Sequence, residues 1–100
     1  MEYFKATWFH YFEDEPGTFY TELDDNRFET RKIEVFKDGS FGMASQAFSF
    51  GGCKLADQPL PGIEEINGDT QFMAALITKD EFEKTWFNYA NYLRPGSAKL

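Results

Sequence analysis

The chain has 100 residues, a formal net charge of −7, 42% hydrophobic and 19% aromatic residues with twelve Phe, and a single cysteine. That length is one domain, long enough to bury a core without staples. The negative charge argues against binding nucleic acid or anionic membranes, which need a positive surface, and the lone Cys53 leaves no partner for an intramolecular disulfide.

Residues 2–12 read as a first strand with aromatic side chains on both faces. Tyr3, Phe9 and Tyr11 fall on one, and Phe4, Trp8 and Phe12 with His10 on the other. "EDEPG" is a turn, broken by Pro16 and Gly17. "TFYTEL", 18–23, is rich in strand formers, and "DDNR" is a hairpin connection. A third strand is expected over 28–37. It points Glu29, Arg31, Ile33 and Val35 one way, and Phe28, Thr30, Lys32, Glu34 and Phe36 the other. "KDGS" is a hairpin signal, and "FGMASQAFSF", 41–50, is a fourth strand.

After Gly51 and Gly52, Pro59 and Pro61 mark an ordered loop that is neither helix nor central strand. "IEEI", 63–66, allows one short helical turn. "FMAALI", 72–77, fits either a short strand or an extended crossing. In "TKDE" Glu81 follows Thr78 by three residues, which is a capping box. Phe82, Trp86, Tyr89 and Leu93 then recur at helical spacing, so a helix over 78–93 should pack on the sheet. Pro95 and Gly96 end it. The expected fold is α+β: a four- to five-stranded antiparallel meander with a C-terminal helix on one face. The domain spans 1–94, and 95–100 form a tail.

The residue inventory offers little chemistry. His10 is the only histidine available to activate Cys53 or a serine, and a lone His on an aromatic strand is usually a packed, hydrogen-bonded residue. One Cys and one His cannot build a structural zinc site. Glu22, Asp24 and Asp25 could hold a hard cation, although two aspartates in a hairpin turn are common. Gly51-Gly52 lacks the rest of a phosphate loop. No enzymatic activity, cofactor or metal is expected. The N-terminus shows no basic region followed by an apolar run, so no secretory leader is expected, and the lone thiol fits the cytoplasm.

Charge is unevenly placed. Residues 1–30 carry Glu2, Glu13, Asp14, Glu15, Glu22, Asp24, Asp25 and Glu29 against Lys5 and Arg27. If the first two strands pair, Glu13, Asp14 and Glu15 share one end, and Glu22, Asp24 and Asp25 gather toward the other. Aromatic residues stand between them. Anchoring rings with an acidic rim suit a basic protein partner. Glu13, Asp14, Glu15, Asp24 and Asp25 are the expected steering charges, and Trp8, Tyr11 and Tyr20 the expected anchors.

The pieces "YFKATWFH", "DEPGTFYTELDDNRFETRKIEVFKDG", "GGCKL", "PLPGIEEI", "QF" and "ITKDEFEKTW" occur in an order that resembles the bacterial family catalogued as domain of unknown function 6881, over roughly residues 2–87. Cys53 stands where relatives often carry Thr. The small acidic members look like immunity proteins of polymorphic-toxin and contact-dependent inhibition systems. That likeness implies a cytoplasmic module that neutralises a cognate toxin, often a nuclease with a basic surface. The alternatives are a non-toxin regulatory or structural domain, with homodimerisation through an exposed sheet face as one form, and an acidic mimic that inhibits a defence nuclease.

Overall fold

Strand β1, Glu2–Trp8, sits near one side of a six-stranded antiparallel sheet. The computed structural model describes residues 1–93. Hairpins lead from β1 to β2 (Thr18–Leu23), β3 (Glu29–Val35), β4 (Phe41–Ser45) and the two-residue β5 (Ser49–Phe50). The chain then returns over one face of the sheet and forms the short helix α1, Ile63–Asn67. It next adds β6, Phe72–Leu76, on the far side of β1. The strand order is therefore β5-β4-β3-β2-β1-β6. Helix α2, Lys79–Asn91, crosses the opposite face.

Two corrections to the expected fold follow. The sheet has six strands, because 72–76 is a strand and because 41–50 is two strands. The second break comes from Ser45, whose N–H donates to the Phe48 carbonyl (2.8 Å) while its hydroxyl accepts from Ala47 N–H (3.1 Å). A serine closes this turn without glycine or proline, so the run reads as continuous strand. Strand β1 also stops at Trp8, not at residue 12. The last ladder bond runs from Phe9 N–H to the Gln71 carbonyl (2.7 Å), and residues beyond it turn out of the sheet. The expected tail, 95–100, lies outside the described residues.

Pairing register assigns each side chain to a face. Tyr3, Glu22 and Arg31 are neighbours across β1, β2 and β3, as are Lys5, Tyr20 and Ile33. These residues lie on the side of α2. Phe4 and Thr21 face the other way with Ala6, Phe19 and Lys32, under α1 and the loop before it. A bulge falls between Glu22 and Leu23: Glu22 pairs with Arg31 but Leu23 with Glu29. The extra residue, Thr30, reverses the expected alternation, so Glu29 leaves the Arg31 side and meets Lys32 on the loop side.

The core has two layers. On the loop side, Phe4, Ala6, Leu23 and Ala74 are buried, with Phe19, Leu60, Ile63 and Ile66 packed against them. On the helix side Phe82 is fully buried and its ring lies 5.3 Å from that of Tyr3. Trp86 meets Phe48, and Tyr89 meets Phe41. Both halves of the Thr78–Glu81 capping box are present. Leu93 lies past the helix end and is exposed.

Arg31 and Glu22 form the polar centre of the helix side. Glu22 accepts from Arg31 Nε (2.8 Å), Arg31 Nη2 (2.7 Å) and the Thr30 hydroxyl (2.7 Å). Arg31 Nη1 reaches Glu83 on α2 (2.8 Å). Its guanidinium also covers the rings of Phe82 and Trp86, at 4.9 and 5.2 Å. One arginine thus ties β2, β3 and α2 together. The paired guanidinium holds the Glu22 carboxyl far down, at about 2.

The outer edge of β6 is apolar, with Met73 and Leu76 exposed. Edges of this kind recruit further strands. Here the Asn67 side chain takes the place of a neighbour: its Nδ2 donates to the Ala74 carbonyl (2.8 Å) and its Oδ1 accepts from Ala74 N–H (2.6 Å). Asn67→Ala should free that amide pair and raise the aggregation rate in concentrated solution, read by light scattering over time. Equal rates for both proteins would show that the edge is protected by something else.

Candidate functional site

Three exposed aromatic residues are concentrated in the β1–β2 connection. Phe9 is 51% exposed, Phe12 59% and Tyr11 98%. One residue fixes the chain beneath these rings. The fixing residue is His10. Its Nδ1 accepts from Phe12 N–H (3.0 Å), which leaves the hydrogen on Nε2 to donate to the Pro16 carbonyl (2.8 Å). Trp8 backs the imidazole at 4.2 Å between ring centroids. Both imidazole nitrogens are therefore occupied in holding the loop.

The alternation expected of a strand persists after the strand has ended. Phe12 and His10 lie beside Trp8 on the loop side of the sheet, where Trp8 stacks on Phe72 at 5.8 Å. The result is an aromatic ridge running Phe12, Trp8, Phe72. Trp8 Nε1 is buried there without a hydrogen-bond partner among the described residues. Phe9 and Tyr11, with Trp8, His10, Val35 and Lys37, line a trough of about 570 Å³ at the end of β1, β2 and β3. Lys37 Nζ donates to the His10 carbonyl and lies 5.8 Å from the Tyr11 ring centroid.

The acids follow immediately. Glu13, Asp14 and Glu15 are all exposed, and none joins an ion pair among the described residues. Asp24 and Asp25 follow the other end of β2, whose five residue steps from Thr18 to Leu23 span about 17 Å. Asp24 Oδ1 is engaged in its own turn, accepting from the N–H groups of Asn26 (2.9 Å) and Phe28 (3.0 Å). Asp25 lies 3.5 Å from the N-terminal ammonium. Glu22, the third member of the suggested cation site, is committed to Arg31. Among the described residues no group of three His, Cys, Asp or Glu side chains is placed to hold a metal ion.

Of the three expected anchors, only Tyr11 stands free. Trp8 is half-buried under His10 and Phe12, and supports the loop. Tyr20 is half-buried on the helix side with Lys5 Nζ 5.6 Å from its ring. Phe9, Phe12 and Lys37 were not among the expected site residues. The signal for the two phenylalanines was their place after the last strand residue, hidden by an aromatic run that continues without a break.

Cys53 is 1% exposed, on the loop side. A Cβ at Gly42 would come within 2.9 Å of the Cys53 Cβ, so a glycine is what lets this segment close on β4. Burial, then the nearby Glu34 carboxylate, push the thiol up to about 12. A thiol so held is not a nucleophile at neutral pH.

The architecture is that of a small α+β domain with an exposed loop of aromatic and acidic side chains between β1 and β2. The chain belongs to the family described as Domain of unknown function (DUF6881), whose profile matches residues 2–91. No curated protein and no solved structure matches it. No helix of the described residues is long and apolar enough to cross a membrane.

Proposed function

We propose that this domain is a cytoplasmic protein-binding module, an immunity protein that neutralises a cognate bacterial toxin by covering a basic surface on it. The observation that carries the reading is the 9–15 loop. It presents Phe9, Tyr11 and Phe12 to solvent and follows them with three exposed acids that join no ion pair among the described residues. Exposed rings supply burial on association, and the adjacent acids steer a cationic partner toward them. The −7 net charge acts in the same direction at longer range. The immunity role itself rests on the resemblance of such small acidic proteins to toxin inhibitors. The domain acts by binding and performs no turnover.

The partner to test is the C-terminal domain of any large secreted protein found encoded beside this gene. Co-production of the domain should restore growth to cells making that toxin domain. Changing Glu13, Asp14 and Glu15 together to Gln, Asn and Gln should slow association roughly tenfold at low ionic strength and flatten its salt dependence. Tyr11→Ala should act mainly on the dissociation rate. Absence of growth rescue removes the immunity reading. An unchanged association rate and salt slope in the triple variant removes the steering role of these acids.

A further inference from the structure

On the loop side, the ridge of Phe12, Trp8 and Phe72 ends at a second depression, a cleft of about 370 Å³ between α1, the Leu60–Pro61 segment and strands β1 to β3. Its interior is apolar, formed by Phe4, Phe19, Leu60, Ile66 and Phe72. At this size a cleft takes one small ligand or one large side chain.

The wall is pinned by Arg27. That residue has a left-handed backbone (φ 67°), and its side chain donates to the carbonyls of Leu60 (2.9 Å) and Pro61 (2.7 Å) and to Glu2 (3.0 Å). Leu60 N–H returns a bond to the Arg27 carbonyl (2.9 Å). The Leu60–Pro61 segment is therefore fixed in place, with Leu60 packed on the loop-side core and the cleft beside it already formed.

Charge selects the occupant. On the floor Lys32 and Glu29 are both more than nine-tenths buried and compensate each other at 3.0 Å. Glu29 also accepts from Ala56 N–H (2.6 Å), which fixes it in place, and Glu34 lies 3.9 Å from Lys32 Nζ. The mouth carries Glu65 and Asp69, exposed and in no ion pair among the described residues. An apolar group can fill the interior without disturbing the paired floor. A positive group beside it meets two uncompensated carboxylates, and a negative group meets the same two unfavourably.

We infer that this cleft receives an apolar side chain of the partner whose sequence neighbour is arginine, the ring or branched chain filling the interior and the guanidinium meeting Glu65 and Asp69. The inference rests on the protein-binding reading above, since the ridge makes the cleft continuous with the 9–15 loop. Arginine suits the mouth because its planar fork matches carboxylates and stacks on aromatic faces such as Phe72.

The domain alone suffices for the test, with three capped dipeptides as probes followed by amide NMR shifts. Acetyl-Phe-Arg-amide should shift Phe4, Ala6, Phe19, Thr21 and Ile66 while leaving β4 and β5 in place. Acetyl-Gly-Arg-amide and acetyl-Phe-Glu-amide should bind more weakly. The double variant Glu65→Gln, Asp69→Asn should weaken the Phe-Arg probe about threefold. Both positions are exposed, and Asn keeps the acceptor that Asp69 Oδ1 offers to Gln71 N–H (2.9 Å), so the fold is retained. The inference is overturned if the Phe-Arg probe leaves these amides unmoved, if the Phe-Glu probe binds as well, or if the double variant binds Phe-Arg unchanged. Because no toxin enters this measurement, each of those results removes the cleft and leaves the 9–15 loop to its own rate experiment.

Discussion

Arg31→Ala is expected to destabilise the domain by about 3–5 kcal/mol, the range for removing one partner of a buried ion pair. The variant strands Glu22, whose side chain is 7% exposed, with the Thr30 hydroxyl as its remaining short contact among those Arg31 and Thr30 supplied. It also uncovers the rings of Phe82 and Trp86 and releases Glu83 of α2. For a domain whose whole stability is of order 5–15 kcal/mol, the loss is a large fraction. Urea unfolding at neutral pH measures it. Replacing both charges, as Glu22→Leu with Arg31→Met, should recover more than half, because the penalty arises mainly from the carboxylate left behind. If the single variant unfolds at the wild-type midpoint, Arg31 is not the tie between sheet and helix.

Acid should act through the same carboxylate. Glu22 has an ordinary value of 4.5 and is held at about 2 in the folded chain by Arg31, with Thr30 adding to the effect against the opposing burial. A folded-state value below the unfolded one gives stability that is fully present above the unfolded pKa. That stability is lost as pH falls through the folded one. The window is therefore about pH 5 down to about 2, and the contribution at neutral pH is roughly 3 kcal/mol. Glu34 works in the opposite sense: burial raises it, so its ionisation costs stability as pH climbs, and acidification relieves that cost. Stability measured by urea at a series of pH values should fall steeply in the wild type and less steeply in Glu22→Gln. Glu34→Gln should make the fall steeper than wild type. Parallel curves for wild type and Glu22→Gln would falsify the assignment.

Helix α2 was legible in the sequence from its Thr78 cap because the Thr78–Glu81 box and the stripe of Phe82, Trp86 and Tyr89 are local signals that tertiary structure reinforces, although the helix ends at Asn91, before the expected Leu93. The hairpins from β1 to β4 were legible for the same reason: their turns carry Pro16-Gly17, Asp24-Asp25-Asn26 and Asp38-Gly39. What was hidden is non-local. Nothing in "FMAAL" says that its partner is β1, some seventy residues earlier, or that Asn67 will guard its outer edge. The end of β1 was hidden because Phe9 to Phe12 are as strand-like as the residues before them. The fate of Glu29 turned on one extra residue, Thr30, and a bulge leaves no mark in an alternating run. The candidate site was half visible. The acids at 13–15 lie in the β1–β2 connection that strand pairing implied, but Tyr11, read as part of the first strand, stands in the loop beyond its end. The cleft at α1 depends on Arg27 reaching Leu60 and Pro61, a bond pattern that spacing does not encode.

The sealed Cys53 gives the domain a built-in clock. Its sulfur can meet a thiol-reactive dye only when the segment behind Gly51 and Gly52 lifts from β4, so labelling speed reports how often that flap opens. A partner clamped on the loop side would slow the reaction, and one gripping the helix side would leave it alone.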